Sequence, residues 1–223
     1  MPGTLRVLDL SHHNDGPDGG PIDFVAIRSF GIAGIIHKSS QGLTVPDRTY
    51  TARRRAALDA GLLWGAYHFA DGSDPAGQVR HFMQAAEPDD STLMALDYEP
   101  NGSNSMNIAG ARAFLSELDA ALGRKAVLYS GNLIKETLGV DTSGFFGSHR
   151  LWLAQYGDNP KWPSAWAAPW LHQFSGDGTN SHGIVIPGIN EKQAGKLDMN
   201  SFDGDEDKLA AEWSAGVQAE PVA

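Results

Sequence analysis

Residues 93–99 read Leu-Met-Ala-Leu-Asp-Tyr-Glu, an unbroken apolar run that ends in two carboxylates separated by one residue. A short apolar run without helical periodicity is typical of a strand buried on both faces, as in a parallel sheet covered by helices. In such a strand Asp97 and Glu99 point to the same side, about 6.6 Å apart along the chain. The run therefore predicts an interior strand that carries a carboxylate pair at its end.

Similar apolar runs recur along the chain. The predicted strands cover residues 6–10, 33–38, 63–69, 93–99, 126–130, 151–155, 169–174 and 197–199. Two helices are predicted between strands, at residues 48–60 and 108–122. Gly61 and Gly123 follow these helices and suit the left-handed conformation that often ends a helix. Eight strands with crossovers in one domain predict an α/β fold, a single modified β/α (TIM-like) barrel.

The crossovers in the C-terminal half differ from those in the first half. Residues 157–168 and 175–196 are rich in Gly, Pro, Asn and Ser and have little helical periodicity. We therefore expect eight strands with fewer or shorter helices in this half. Residues 1–213 are assigned to the barrel, and residues 214–223, which are small and polar, to a flexible C-terminal tail.

Polar side chains lie near the end of nearly every predicted strand. They are Asp9, Lys38, Tyr67, His68, Asp97, Glu99, Tyr129, Gln155, Tyr156, Gln173 and Asp198. In a β/α barrel the carboxyl ends of the strands meet on one face, where active sites lie. Burying carboxylates without a partner is costly, so four of them in one cleft indicate a function.

The carboxylate pair and nearby aromatic residues indicate a saccharide cleft. Two carboxyl groups held close together do not both ionise easily, so one pKa should rise. Glycoside hydrolysis uses a protonated acid beside an ionised carboxylate. Aromatic rings that suit stacking on sugars are found at Tyr67, Phe69, Tyr129 and Tyr156. Trp152 and Trp170 open their strands and are expected to pack in the core.

Composition excludes several classes of protein. The chain has 17 Lys and Arg against 27 Asp and Glu, a formal charge of −10, which disfavours a nucleic-acid partner. It has no cysteine, so disulfides and thiolate chemistry are excluded. No stretch approaches 18 apolar residues, so we expect no insertion into a membrane. Residues 1–10 also lack the pattern of a secretory signal peptide.

Taken in order, the polar blocks resemble glycoside hydrolase family 25, the Chalaropsis-type lysozymes. The blocks are DLSHHN at 9–14, KSSQG at 38–42, GAYHF at 65–69, LDYE at 96–99, LWLAQY at 151–156 and LDMNSF at 197–202. The resemblance covers about residues 5–209. The chain departs from the family pattern at Ser39 and Gln41, where Ala and Glu are usual, and Gln41 removes a charge.

The resemblance implies a muramidase that cleaves the β-1,4 bond between N-acetylmuramic acid and N-acetylglucosamine in peptidoglycan. It implies that Glu99 is the general acid and that Asp97 stabilises the reacting sugar. Asp9 and Asp198 complete the acidic cleft. We expect the substrate to contact Tyr67, Tyr129, Lys38, Phe69, Tyr156 and Gln173. No cofactor and no metal are expected.

The expected partner is the glycan strand of the cell wall, bound by a monomeric enzyme. With no signal peptide recognised, we expect the enzyme to reach the wall through a phage-type membrane pore or by non-classical export. The strand spacing leaves the second half of the reaction open. A spacing of two residues fits a direct carboxylate nucleophile, an inverting pair or assistance by the 2-acetamido group of the substrate. The family resemblance points to net retention, so we expect a retaining mechanism assisted by the 2-acetamido group.

Two alternative functions remain from the sequence. A metal-dependent hydrolase on a similar barrel would use histidines near the strand ends, namely His12, His13, His68 and His172. The adjacent His12 and His13 point opposite ways, however, and we expect them to lie in a loop and His68 to be a supporting hydrogen bonder. A non-catalytic peptidoglycan-binding module would be expected to have lost Asp97 or Glu99, and both are present.

Overall fold

In the computed structural model, which describes residues 4–139, 143–176, 184–193 and 196–215, eight strands close into a barrel. The described strands are β1 (Thr4–Leu10), β2 (Ile32–Gln41), β3 (Val45–Pro46), β4 (Leu63–Phe69), β5 (Leu93–Asp97), β6 (Val127–Ser130), β7 (Arg150–Ala154), β8 (Leu171–Ser175) and β9 (Asp198–Asp203), and all of them except β3 belong to the barrel. Around the ring the order is β1, β9, β8, β7, β6, β5, β4, β2, and β2 pairs with β1 to close it. The predicted barrel is confirmed. The two-residue strand β3, which was not predicted, pairs only with the end of β2.

The helices surround this ring unevenly. They are α1 (Phe24–Ser29), α2 (Tyr50–Asp59), α3 (Pro75–Ala86), α4 (Ile108–Leu122), α5 (Asn132–Thr137) and α6 (Glu206–Ser214). The predicted helices at 48–60 and 108–122 correspond to α2 and α4, and Gly123 ends α4 with a φ of 66°. Helix α5 has six residues, and residues 155–170, all of which are described, contain no helix. Among its described residues, the C-terminal half therefore has fewer and shorter helices, as predicted.

Side chains alternate along each strand between the barrel interior and the outer helical layer. In β5, Leu93 and Ala95 pack inside the barrel, whereas Met94 and Leu96 belong to the cluster formed with the helices. Both faces are apolar because both are buried, which explains the unbroken apolar run. The next inward position is Asp97, so a carboxylate follows directly on the apolar interior.

Helix α6 closes one end of the barrel. Leu209 and Trp213 belong to the interior cluster, and Trp213 is only 1% exposed. The Trp213 indole donates to the backbone oxygen of Trp64 over 2.8 Å. Gly34 makes room for this ring, since a Cβ there would lie 2.9 Å from it. The opposite end, where the parallel strands finish, remains open.

Strand β9 corrects one prediction. The sequence indicated that Asp198 ends a strand at residues 197–199, but Asp198 begins β9, which runs antiparallel to both β1 and β8. Because the strand is reversed, its first residue lies at the mouth where the parallel strands end. Asp198 therefore lies at the predicted mouth of the barrel, but as the first residue of an antiparallel strand and not as the end of a parallel one.

Two further predictions concern the C-terminal tail and insertion into a membrane. Ser214, predicted to begin the tail, is the last residue of α6, and residues 216–223 lie outside the described part of the chain. The described helices include none that is long and apolar enough to cross a bilayer.

Candidate active site

The open mouth of the barrel contains a cavity of about 430 Å³. Eight of the ten predicted site residues line it, namely Asp9, Tyr67, Asp97, Glu99, Tyr129, Tyr156, Gln173 and Asp198. The predicted residues Lys38 and Phe69 do not line it. The wall also includes Gly131, Asn132, Trp152, Ala154 and Gln155, none of which was predicted as a site residue. The structure thus brings all four carboxylates to one cavity.

The carboxylate pair keeps strand-like alternation beyond the end of β5. The backbone N–H of Tyr98 donates to the Tyr129 oxygen over 2.9 Å, which extends the pairing by one residue. The Tyr98 ring is buried in the outer layer, and its hydroxyl lies 3.2 Å from Thr137 Oγ1. Asp97 and Glu99, on either side, both line the cavity. The predicted same-side arrangement is present.

Asp9 is held by two amide donors that reach the same oxygen. Asn200 Nδ2 donates to Asp9 Oδ2 over 2.8 Å, and Gln173 Nε2 donates to it over 3.0 Å. The Gln173 Oε1 atom accepts from the Tyr129 hydroxyl over 3.0 Å. The site therefore contains a directed chain of hydrogen bonds that ends at Asp9 Oδ2.

The orientation of Asn200 follows from its other partner. An indole N–H only donates, and Trp152 Nε1 lies 2.5 Å from Asn200 Oδ1. The amide nitrogen must therefore face Asp9, and it also donates to the Val7 oxygen over 3.1 Å. Trp152, predicted as a core residue, is buried in the barrel interior and also forms part of the cavity wall.

Two of the carboxyl groups favour their protonated form. Burial raises the pKa of Asp9 to about 7, helped by the charge of Glu99 and opposed by the hydrogen bonds from Asn200 and Gln173. Burial also raises the pKa of Asp97 well above its ordinary value, and the carboxylates of Glu99 and Asp9 add to this rise. One oxygen of Asp97, Oδ1, is buried without a hydrogen-bond partner among the described residues. The cavity therefore holds protons at neutral pH.

Asp198 and Tyr156 converge over a glycine. A Cβ at Gly176 would lie 2.2 Å from Asp198 Oδ1 and 2.5 Å from the Tyr156 hydroxyl. Any side chain at position 176 would displace these two groups. Gly176 thus allows Asp198, at the start of β9, and Tyr156, two residues after β7, to approach each other in the cavity wall.

Lys38 and Phe69 lie beside the cavity. The ammonium group of Lys38 donates to Gln41 Oε1 over 2.7 Å and lies 5.0 Å from the centre of the Phe69 ring. The charge of Lys38 opposes the rise in the pKa of Asp97. The structure therefore places Lys38 where it influences a carboxylate electrostatically.

The histidines near the strand ends have partners of their own. Gln78 Nε2 donates to the backbone oxygens of Asp71 and Ser73, so its Oε1 accepts from the His68 Nε2–H over 3.1 Å. His68 Nδ1 then accepts from Ser40 over 2.8 Å, in the outer layer. His12, in the loop after β1, contacts Asp47. Within the described ranges, no group of three His, Asp or Glu side chains is arranged to hold a metal ion.

Asn200 is the main functional candidate that the sequence reasoning missed. It lies two residues after Asp198 in β9 and therefore faces the same side. That spacing was visible in the sequence, but residues 197–199 were treated as the whole strand. Asn132 was missed for a different reason, because it begins a short helix whose course the apolar pattern does not predict. Gln155 was recognised at the end of a predicted strand but was not named as a substrate contact.

Comparison with known proteins agrees with this geometry. The model of the family described as "Glycosyl hydrolases family 25" matches residues 8–183. The chain belongs to glycosyl hydrolase family 25. The resemblance inferred from the sequence blocks is thereby confirmed, and membership makes this protein a glycoside hydrolase.

Individual proteins also match this chain over most of its length. The protein YegX of Escherichia coli O157:H7 is 30% identical over 98% of this chain and 76% of its own. Lysozyme M1 of Streptomyces globisporus is 26% identical over 93% of this chain and 70% of its own. The crystal structure of the bacterial lysozyme from Streptomyces coelicolor superposes with a TM-score of 0.77 at 23% identity, covering 96% of this chain and 99% of that one. This last similarity shows that the two share a fold.

Proposed function

We propose that the protein is a lysozyme or endolysin-type muramidase that hydrolyses the β-1,4 bond between N-acetylmuramic acid and N-acetylglucosamine in peptidoglycan. Its partner is the glycan strand of the cell wall, on which it acts as a monomer. It reaches the wall through a phage-type membrane pore or by non-classical export. The family membership and the lysozyme names of two similar proteins support this substrate.

The observation that carries the proposal is the placement of Asp97 and Glu99 on one side of the chain at the end of β5, inside a cavity that also contains Asp9 and Asp198. Four carboxyl groups in so small a space share protons, and the titration belongs to the group as a whole. Glycoside hydrolysis needs one protonated and one ionised carboxyl group at the bond that breaks. This cavity supports such a pair near neutral pH.

Asp97 and Glu99 take different parts in the proposed reaction. When the sugar binds, the N–H of its 2-acetamido group donates a hydrogen bond to Asp97. That bond stabilises the ionised form of Asp97, since a donor to a carboxylate lowers its pKa. The proton that the pair shares then resides on Glu99. Glu99 gives it to the glycosidic oxygen, which is the role of the general acid.

The acetamido group completes bond cleavage in this scheme. Its oxygen bonds to the anomeric carbon as the bond from that carbon to the leaving oxygen breaks, and Asp97 stabilises the positive charge that develops on the nitrogen. The bond between the acetamido oxygen and the anomeric carbon closes a five-membered ring on the sugar. Glu99, now ionised, removes a proton from water. The water oxygen attacks the anomeric carbon and displaces the acetamido oxygen, which opens this five-membered ring again. Two displacements at one carbon give net retention, and substrate assistance of this kind is a known exception to direct carboxylate attack.

The remaining wall residues are proposed to hold the sugars. Tyr67, Tyr129, Tyr156 and Gln173 present rings and polar atoms to the cavity. Burial raises the pKa values of Tyr67 and Tyr129 well above the ordinary value, so both phenols stay neutral. Lys38 and Phe69 act from beside the cavity, where Lys38 moderates the pKa of Asp97.

The test is release of new reducing ends from purified peptidoglycan, with and without exhaustive chelation by EDTA. We expect equal release in both conditions. A loss that zinc or manganese restores would favour the metal-dependent hydrolase. Binding to peptidoglycan without any release of reducing ends would favour a non-catalytic module.

A further inference from the structure

Two lysine side chains beside the carboxylate cavity each donate to a glutamine. Lys38 donates to Gln41 Oε1, and Lys135, in α5, donates to Gln155 Oε1. Both lysines are half-buried. In the described part of the chain neither one forms a salt bridge with a carboxylate. A neutral amide satisfies one N–H of the ammonium group and leaves its charge uncompensated.

The two lysines differ in their electrostatic surroundings. Burial lowers the pKa of Lys38, and the charges of Asp97, in the cavity, and of Asp47 oppose this effect. The positive charge of Lys38 is therefore partly balanced by these two carboxylates. For Lys135 burial lowers the pKa, and no opposing carboxylate accompanies it among the described residues. Lys135 is therefore the cation near the cavity whose charge is available to a ligand.

The position of Lys135 is fixed by contacts at the cavity wall. Gln155 lines the cavity, and its Oε1 accepts from both Lys135 Nζ and the backbone N–H of Lys161, the latter over 3.1 Å. Two donors use both lone pairs of that oxygen and fix the orientation of the amide. The Gln155 backbone oxygen also accepts from His172 Nε2 over 2.7 Å. An ammonium group has three donors, so two remain for a ligand.

The chemistry of the proposed substrate supplies a matching anion. N-acetylmuramic acid carries a lactyl group that ends either in a free carboxylate or in a stem peptide with carboxylates of its own. The carboxyl groups of the cavity that are ionised repel such a substrate, and a cation beside the cavity offsets this repulsion. A charge-assisted hydrogen bond from an ammonium group to a carboxylate is stronger than one between neutral groups.

We propose that Lys135, oriented by Gln155, binds a carboxylate on the muramic acid substituent and so selects glycan strands that carry this acid. The inference rests on the proposed muramidase function and adds a specificity-determining contact to it. Lys135 takes no part in bond cleavage, because the carboxylates perform that step. Its contribution is to substrate binding and therefore to KM.

The experiment compares Lys135→Met and Lys135→Gln with the control Lys161→Met, whose exposed side chain lies on the neighbouring loop. Three soluble glycan preparations are the substrates. One carries stem peptides, one has lost them to an amidase and exposes lactyl carboxylates, and one has all carboxylates converted to methylamides. Thermal melting checks that each variant is folded, and Lys135→Arg tests whether another cation restores binding.

We expect both neutral variants to raise KM about 10-fold on a carboxylate-bearing substrate, the loss of one charge-assisted hydrogen bond. We expect kcat to stay within about twofold and the methylamide substrate to be unaffected. If KM rises only on the amidase-treated strands, the ligand of Lys135 is the lactyl carboxylate. If KM rises only on the peptide-bearing strands, the ligand is a carboxylate of the stem peptide. Lys161→Met should behave as wild type, and Lys135→Arg should recover most of the loss.

Two results overturn this inference while leaving the proposed function intact. One is an unchanged KM for both neutral variants on substrates that the wild-type enzyme cleaves. The other is an equal rise in KM on the methylamide substrate, because that would indicate a steric role for Lys135. If the wild-type enzyme releases no reducing ends from any preparation, the proposed function fails and this inference fails with it.

Discussion

Asp9 and Asp198 lie directly opposite each other in the antiparallel pairing of β1 with β9. One belongs to the first strand of the chain and the other to the last, so the acidic mouth is complete only when these two strands pair. Helix α6 follows β9 in the chain and fills the far end of the barrel with Leu209 and Trp213, which ties the end of β9 to the barrel interior. Formation of the site is therefore coupled to packing at the opposite end of the molecule.

The first prediction tests this closure. Trp213→Ala should lower the free energy of unfolding by about 3–5 kcal/mol, because it removes a large buried side chain and leaves a cavity. It also removes the donor to the Trp64 oxygen. Urea denaturation measures the change. Trp162→Ala is the matched control, since Trp162 is 37% exposed and should cost much less. If the two substitutions lowered the free energy of unfolding equally, this would contradict the proposed role of α6 in closing the barrel.

The direction of β9 shows what the sequence could and could not predict. Parallel strands buried on both faces produce unbroken apolar runs, and β5 was read from one of them together with Asp97 and Glu99. Strand β9 has mixed polarity, and the long connection before it has no helical periodicity, so neither feature indicated a reversed strand. Its length was underestimated for the same reason. Asn200, although two residues from Asp198, was therefore not recognised as part of the site.

Contacts between distant segments limited the prediction in a second way. The hydrogen bonds that hold Asp9 come from Gln173 and Asn200, and the one that orients Asn200 comes from Trp152. Gln173 was expected to contact substrate and Trp152 to pack in the core, so neither was predicted as part of the hydrogen bonding that leads to Asp9. Only the closed ring brings Gln173 and Asn200 to one oxygen of Asp9, and Trp152 to Asn200. The carboxylates could be predicted because they are unusual in apolar strands, whereas the hydrogen bonds from Gln173 and Asn200 to Asp9 depend on contacts between distant strands.

The second prediction concerns the pH dependence of stability. The pKa of Asp9 in the folded state, about 7, lies above its ordinary value of 3.8, so the folded state binds more protons between these values. The free energy of unfolding contributed by this group should therefore fall as pH rises from about 4 to about 7. In Asp9→Asn this contribution to the pH dependence should vanish. At pH 8 the free energy of unfolding of the variant should therefore exceed that of wild type by on the order of 1 kcal/mol or more.

Denaturation at a series of pH values measures this difference. The control is Asp203→Asn, since Asp203 is an exposed aspartate at the other end of β9. It should leave the pH profile unchanged. A constant difference between Asp9→Asn and wild type across this range would argue against a protonated Asp9 in the folded enzyme.

The third prediction concerns Asn200. Asn200→Leu leaves the Trp152 indole N–H and the Val7 oxygen without their partner and removes one donor to Asp9. Unpaired buried polar groups are costly, so the substitution should lower the free energy of unfolding by at least about 2 kcal/mol. The loss should be greater at pH 8 than at pH 5, because the ionised form of Asp9 depends most on that donor. Ser201→Ala, on the other face of β9, is the control and should change little.

The fourth prediction concerns the general acid. Glu99→Gln should lower turnover on peptidoglycan at least about 100-fold, because glutamine keeps the shape of the side chain but cannot supply a proton. Binding should persist, as measured by sedimentation with insoluble peptidoglycan. Glu117→Gln, an exposed substitution on α4, serves as the control. A variant at position 99 that retains more than about a tenth of wild-type turnover would exclude Glu99 from this role.

The last prediction separates the routes by which the reaction is completed. If the acetamido group is the nucleophile, the product first released from a soluble muropeptide oligomer has the β configuration, since two displacements at one carbon restore it. A substrate analogue without the N-acetyl group should then react far more slowly, because it lacks the attacking oxygen and the N–H that is proposed to bind Asp97. The anomer is followed by NMR in the first minutes of the reaction, before mutarotation obscures it. Initial release of the α-anomer would establish inversion. Retention with full activity on the analogue would instead assign Asp97 as a direct nucleophile, and Asp97→Asn should then abolish turnover on both substrates.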